Sequence, residues 1–505
     1  MPTLRPDQIF CLDKFLEPGR THSANLSQMG LGKTATATEL VAQLLRRPSF
    51  RGSDTDAKTH KTSALVLIPK TTAKQWKEEI KVWHPELSVE ICIGTKTQKL
   101  VGLASDADIK LINYESVIMR EVYFMIRRLL NSGALSIAVL DESTYIKGFS
   151  AKRTVALHTM APLFRYRHIM TGTPIFNTHQ DVWGMWKFMD LGDAFGDNFY
   201  AFRNTWFEDA NSWMKKSPGY KGQVFPKWNF MPSLSDRFSK LVASDSVRFL
   251  REDVPGIPEA VRYIRRIKLS APNRKIYKDM AEKLIAQIEV EEGTRHVRAQ
   301  IAAAKFVKLQ QITGGWVNTS PEQQANLFDG TDTSKPEPVH FKTQEKLSEI
   351  KDILQNEIGL SEQVLFFCRF REDATIIRDY LTKLTGETPG LVWGKSGTSN
   401  WENMQKFKGG SLKYLVMIES DRIALGADFP GVSYCIFYNL PWTHGLMDQC
   451  EGRIIRPSDA AIFFYLIASK TIDEYVLKTV REKGNIANRS LTSDDLRAIV
   501  SGEAA

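Results

Sequence analysis

The sequence predicts an α/β fold of two tandem parallel-sheet lobes with a helical insert between their cores. Short apolar runs alternate with helical patterns, which implies a mostly parallel sheet with helices on both faces. The same alternation restarts near Gln363, after a stretch of different texture. Each run ends in polar or small residues, and ligands bind where the C-terminal ends of such strands converge.

In the first lobe, residues 1–255, the runs Ala64-Leu65-Val66-Leu67-Ile68-Pro69, Ile109-Lys110-Leu111-Ile112-Asn113 and Ile137-Ala138-Val139-Leu140-Asp141 read as buried strands. A fourth strand closes in Ile169-Met170-Thr171. The segment from Thr72 to Trp83 reads as a helix that starts at a threonine cap and stops before His84-Pro85, because the residue before proline is steered out of helical backbone. The strand ends Pro69-Lys70, Asn113-Tyr114, Asp141-Glu142 and Thr171-Gly172-Thr173 are expected to share one edge.

From about Phe195 to Arg248 the chain is rich in aromatics. Residues 256–340 read as a helical protrusion and interlobe linker, with long helices from Asp279 to Gln311 and linker composition from Asn326 to Pro338. Residues 341–505 form the second lobe, with strands at Gln363–Cys368, Leu391–Trp393, Leu415–Ile418, Cys435–Tyr438 and Ile462–Leu466.

The chain of 505 residues has room for two or three domains with cores of their own. Its hydrophobic content of 43% and charged content of 25% are those of a soluble globular protein. No apolar run reaches the length of a membrane span and the N-terminus lacks an apolar signal region, so no membrane role and a cytoplasmic location are expected. The five cysteines, Cys11, Cys92, Cys368, Cys435 and Cys450, are scattered without a Cys-x-x-Cys pair, which argues against a zinc site or a disulfide framework. A net charge of +9, with many acidic residues present, favours local basic patches and a polyanionic partner.

Residues Gln28-Met29-Gly30-Leu31-Gly32-Lys33-Thr34 stand before an alanine-rich helical pattern. Glycines let backbone N–H groups turn inward around phosphates, the lysine reaches the β- and γ-phosphates, the threonine hydroxyl ligates Mg²⁺, and the helix N-terminus adds its positive end. Ser27 stands where the strict pattern has glycine, and a plain glycine turn capping a helix is the alternative. Asp141-Glu142 places adjacent carboxylates at a strand end, suited to holding Mg²⁺ and deprotonating water, or else a solvated strand end. Thr171-Gly172-Thr173-Pro174 is either an ordinary turn or a rigid one that transmits a shift from the nucleotide. Arg453 and Arg456, three apart, would share a helix face and can stabilise a transferring phosphoryl group, or form a surface pair, or neutralise Glu451.

In order, Leu4-Arg5-Pro6-Asp7-Gln8, Met29 to Thr34, Pro69 with Gln75-Trp76, Asn113-Tyr114-Glu115, Asp141-Glu142 with Lys147, and Thr171 to Asn177 resemble the first-lobe motifs of superfamily 2 helicases. They most resemble the Swi/Snf-type DNA-dependent ATPases. Ala424-Leu425-Gly426-Ala427-Asp428 and Gln449 to Arg456 resemble the fifth and sixth motifs of the second lobe, and Leu250-Arg251-Glu252-Asp253-Val254-Pro255 resembles the junction after the first.

The resemblance implies two RecA-like lobes with ATP in the interlobe cleft. It implies that Gln8 reads adenine and that Met29, Gly30, Leu31, Gly32, Lys33 and Thr34 hold phosphate, with Gly426 and Asp428 added from the second lobe. Thr34 and Asp141 hold Mg²⁺, Glu142 activates water, and Lys33, Arg453 and Arg456 complete the catalytic set. Four residues depart from the family: Asp7 replaces an aromatic, Thr144 replaces the histidine of the Asp-Glu-x-His form, and Leu425 and Ala427 interrupt a glycine-rich motif. Weakened coupling is expected from them, rather than loss of hydrolysis.

For nucleic acid, the strand-end residues Lys70, Tyr114, Thr173 and Arg369 match family contacts. The dense basic stretch Arg262, Arg265, Arg266, Lys268, Arg274, Lys275 and Lys278 reads as a half-exposed strand more than as a phosphate-tracking surface. The aromatics Phe199, Tyr200, Phe202, Trp206, Phe207, Trp213 and Trp228 read as the core of a protrusion more than as a base-stacking platform.

The leading expectation is an ATP-driven motor translocating on double-stranded or forked DNA, with replication or recombination proteins as further partners and a monomeric state favoured. A strand-separating or fork-annealing helicase is the alternative, and an ATP-dependent DNA-binding scaffold with little turnover is a third. The compact length looks like a bacterial or bacteriophage member, working in the cytoplasm of a bacterial or phage-infected cell.

Overall fold

The computed structural model describes residues 2–47, 62–172, 178–212, 226–290, 307–318, 338–394, 397–419, 427–455 and 460–482. The chain divides into two compact units, Met1–Pro255 and Gly256–Ala505.

The first unit contains strands β1 (His22–Asn25), β2 (Ser63–Ile68), β3 (Val89–Ile91), β4 (Ile109–Asn113), β5 (Leu135–Asp141), β6 (Tyr166–Met170), β7 (Phe207–Asp209), β8 (Trp228–Phe230) and β9 (Ser246–Val247). Seven of them form a sheet in the order β3-β4-β2-β5-β6-β1-β9, and every neighbouring pair is parallel. Successive residues of a strand face opposite sides. Leu65 and Leu67 accordingly join one core cluster, with Ile112, Leu140 and Val122, while Val66 and Ile68 join the other, with Leu40, Val41 and Ile80. Both faces are covered, so the interior strand β2 is apolar from Ala64 to Ile68.

Helices α1 (Pro6–Phe15), α2 (Lys33–Arg46) and α3 (Ala73–Trp83) bear on the nucleotide loop and the acidic strand end. α3 stops before His84-Pro85 as expected, but Thr72 makes no side-chain cap. Its hydroxyl donates instead to the Pro69 carbonyl at 2.9 Å, closing a short turn over Lys70–Thr72.

The aromatic insert packs as a core. Phe199, Phe202, Trp206 and Phe207 are buried together with Phe195 and Phe238, while Tyr200 is exposed and Trp213 lies outside the described residues. The antiparallel pair β7–β8 crosses this insert.

The second unit contains β10 (Val261–Ile267), β11 (Trp316–Asn318), β12 (Pro338–His340), β13 (Val364–Cys368), β14 (Gly390–Val392), β15 (Tyr414–Ile418), β16 (Tyr434–Phe437) and β17 (Ile462–Ala468). Its six-stranded sheet runs β10-β17-β16-β13-β15-β14, again parallel throughout. Leu365 and Phe367 face one core and Val364, Phe366 and Cys368 the other.

The segment 256–340, read from sequence as protrusion and linker, therefore begins with a strand that extends this sheet. The helix Ala271–Val290 follows β10, and linker residues 326–337 lie outside the described chain. β10 carries the first three residues of the basic stretch, and these arginines are paired within the unit. Arg262 meets Glu451 at 2.6 Å, Arg265 meets Glu349 at 2.6 Å and Glu357 at 2.7 Å, and Arg266 meets Glu474 at 2.5 Å. All five cysteines are buried and none is in a disulfide.

Candidate active site

In sheet order β5, β6 and β1 are adjacent, so the residues after them meet at one edge: Asp141-Glu142, Thr171-Gly172 and the loop 26–32. The loop turns on Gly30 and Gly32, whose φ values of 86° and 69° lie in the left-handed region open to glycine. α2 starts directly after Gly32 and brings its N-terminal N–H groups to the loop. The Lys33 ammonium donates to the carbonyls of Ser27 at 2.8 Å and Gln28 at 3.1 Å, which places the charge over the loop it would share with phosphates.

Three side chains brace this loop from outside. Arg5 donates to the Leu31 carbonyl at 2.8 Å, Gln8 Nε2 to the Gly32 carbonyl at 3.2 Å, and Arg251 Nε to the Met29 carbonyl at 3.0 Å. Gln8 is buried, and its Oε1 accepts from the Arg5 backbone N–H. Asp7, the departure from an aromatic, pairs with Arg5 at 2.9 Å and so steadies one of the braces. Gly172 closes against the loop from β6: a Cβ there would come 2.8 Å from Met29 Cγ.

The acidic pair is held on both residues. Asp141 Oδ2 accepts from the Trp76 indole N–H at 2.8 Å, and the Asp141 carbonyl accepts from the Tyr114 hydroxyl at 2.7 Å. Burial pushes the Asp141 carboxyl up to about 6, against the Trp76 hydrogen bond and the nearby Lys33 charge, which favour its ionised form. Glu142 sits in left-handed backbone at φ 51°, and its Oε1 accepts from the hydroxyls of Thr144 at 2.6 Å and Thr171 at 2.9 Å. Positive φ in a residue with a side chain costs energy and commonly marks functional positions.

A profile of the SNF2-related domain matches residues 26–313, and a helicase conserved C-terminal domain matches residues 345–458. The chain belongs to the SNF2-related family.

A protein called p41, from Acyrthosiphon pisum secondary endosymbiont phage 1, is 27% identical over 62% of this chain and 64% of its own length. The ATP-dependent helicase brm of Drosophila melanogaster is 23% identical over 91% of this chain and 27% of its own. The chain thus spans under two thirds of either relative. A Sulfolobus solfataricus SWI2/SNF2 ATPase core, solved in complex with dsDNA, aligns over 100% of this chain and 94% of its own at 20% identity, with a TM-score of 0.40.

Several residues expected at the site of this SNF2-related chain have other surroundings. Tyr114, expected to touch nucleic acid, is fully buried and stacked on Tyr145 with ring centroids 4.9 Å apart, so it supports Asp141 from within the core. Arg369 pairs with the buried Glu419 at 2.7 Å and lies 3.9 Å from the centre of the Trp442 ring. Lys70 is exposed at the end of β2, and Thr173 lies outside the described residues.

In the second unit the helix His444–Glu451 ends before Arg453, so Arg453 stands in the following turn and not on a helix face. It is buried and meets Asp428 at 3.3 Å, while Glu451 is neutralised by Arg262. Arg456 and Gly426 lie outside the described residues.

The sequence names Trp76, Thr144, Thr171 and Arg251 only within motifs and gives none of them a part in holding the carboxylates or the loop. Their hydroxyl, indole and guanidinium groups act through partners up to 222 residues away, and local patterning carries no signal of that. Among the described residues, no helix is long and apolar enough to cross a membrane.

Proposed function

We propose that this chain is a DNA-dependent motor that hydrolyses ATP and translocates on double-stranded DNA. The observation that carries the reading is the shared sheet edge, where the glycine loop, Lys33, Asp141 and the hydroxyl-held Glu142 come together.

The chemistry follows from these groups. The loop N–H groups and α2 receive the phosphates, and Lys33 exchanges the Ser27 and Gln28 carbonyls for β/γ-phosphate oxygens. The donor set, a threonine hydroxyl at the start of α2 and a carboxylate at a strand end, is an oxygen set of the kind Mg²⁺ takes, so Thr34 and Asp141 would hold it. That ion would neutralise charge on the phosphates. Glu142, fixed by Thr144 and Thr171, takes the proton of the attacking water. Arg453 and Arg456 would supply positive charge to the transferring phosphoryl group. Gln8, which braces Gly32, would serve the base of the nucleotide.

Family membership supports DNA as the activating ligand. The phage p41 relative agrees with a phage or bacterial setting. ATP turnover measured without nucleic acid and with single-stranded, duplex, forked and RNA ligands tests the proposal. Duplex or forked DNA should stimulate most. Stimulation by RNA alone, or turnover indifferent to every ligand, would reject it.

A further inference from the structure

Trp76 makes a contact that the chemistry above leaves unused. It lies on α3, is 3% exposed, and belongs to the apolar cluster that includes Leu40, Val66, Ile68 and Val139. Burying so large a ring accounts for its packing, but not for where its one polar atom goes. That N–H donates to Asp141 Oδ2 at 2.8 Å, across 65 residues of sequence.

The pairing has a fixed sense. An indole N–H only donates and an ionised carboxylate only accepts, so this bond cannot reverse or be shared out as a hydroxyl's can. The Asp141 main chain is pinned separately by the Tyr114 hydroxyl on its carbonyl at 2.7 Å. Tyr114 therefore places the backbone of the strand end, and Trp76, with the Glu142 backbone N–H beside it, sets the rotation of the carboxyl group about its bond to that backbone. A carboxylate with one oxygen committed to a buried, rigid donor presents the other to a ligand at no further ordering cost.

We propose that Trp76 is a positioning residue for the metal-holding carboxylate: its indole N–H fixes Oδ2 of Asp141 and reserves Oδ1 for the Mg²⁺ that accompanies the nucleotide. The proposal rests on the nucleotide-site reading given above. Partners that orient a metal ligand in this way are worth roughly 10–100-fold in metal affinity.

The test removes the N–H and keeps the shape. Benzothienylalanine at position 76 puts sulfur in place of the indole nitrogen, and Trp76→Phe is the genetically simpler companion. Binding of a fluorescent ATP analogue to the full chain is titrated with Mg²⁺ and repeated in EDTA, with thermal melting alongside.

The half-saturating Mg²⁺ concentration should rise about tenfold or more in both variants. Affinity in EDTA and the melting temperature of the benzothienyl form should stay as in the wild type. An unchanged Mg²⁺ dependence in the benzothienyl form would overturn the proposal and leave Trp76 a core residue, whatever Trp76→Phe does to stability. The nucleotide-site reading fails separately, if the wild-type chain binds the analogue no better than Lys33→Ala does.

Discussion

Replacing Thr144 and Thr171 by valine tests how Glu142 is kept ready. Both hydroxyls donate to one oxygen, Oε1, at 2.6 and 2.9 Å. Hydrogen bonds to a charged acceptor contribute roughly 1.5–3 kcal/mol each, and about 1.4 kcal/mol is a factor of ten in rate. If either bond alone can hold the carboxylate in part, each single variant should lose about three- to tenfold in kcat, and the double variant about a hundredfold or more. Valine matches threonine in shape, and neither hydroxyl is assigned to the nucleotide, so KM for ATP should change little. Steady-state turnover at saturating DNA, for wild type, both singles and the double, completes the cycle. A double variant with wild-type kcat would refute the claim that these hydroxyls position the base.

Further outcomes follow from the same geometry. Lys33→Ala should abolish turnover, while Glu142→Gln should bind ATP and hydrolyse it very slowly; near-normal turnover in Glu142→Gln, read by phosphate release, would mean that another residue activates the water. Arg453→Ala and Arg456→Ala should each lower kcat by at least about a hundredfold with a much smaller loss of nucleotide affinity, and normal hydrolysis in both would remove the second unit from the chemistry. Burial raises the Glu419 carboxyl from 4.5 to about 7, against the opposing pull of Arg369, so the folded state holds its proton more tightly than the unfolded chain does. That contribution is complete below pH 4.5 and is lost as pH rises through about 7. Denaturant unfolding at several pH values should therefore show Glu419→Gln gaining on wild type by up to roughly 3 kcal/mol across that window, and a pH-independent difference would contradict it.

Strands with unbroken apolar runs were legible because both faces of each sheet are covered, so β2, β4, β5, β13, β15, β16 and β17 announce themselves. β1, which leads into the nucleotide loop, was not. Its residues His22-Ser23-Ala24-Asn25 are mostly polar, yet Ser23 and Asn25 are buried because Tyr166, His168 and the Ser27 N–H satisfy them. No hydrophobic pattern reports a strand whose burial is licensed by hydrogen bonds. The nucleotide loop and the acidic pair were legible because their chemistry is carried by contiguous residues. Tyr114 was misread because a tyrosine at a strand end looks the same in sequence whether its hydroxyl faces solvent or, as here, the Asp141 carbonyl. Arg453 was misplaced for a related reason. An i, i+3 spacing predicts a shared face only while the helix lasts, and this one stops at Glu451.

The central claim is movement along duplex DNA driven by ATP, and displacement of a third strand from a DNA triplex measures it most directly. A motor that grips chiefly phosphates should displace the strand whatever the track sequence, and less well as salt rises. The account predicts ATP-dependent release of the third strand, none with Lys33→Ala, and little separation of a plain duplex in a parallel fluorescent unwinding assay. Efficient duplex unwinding with no triplex displacement would contradict it and establish a strand-separating helicase in its place.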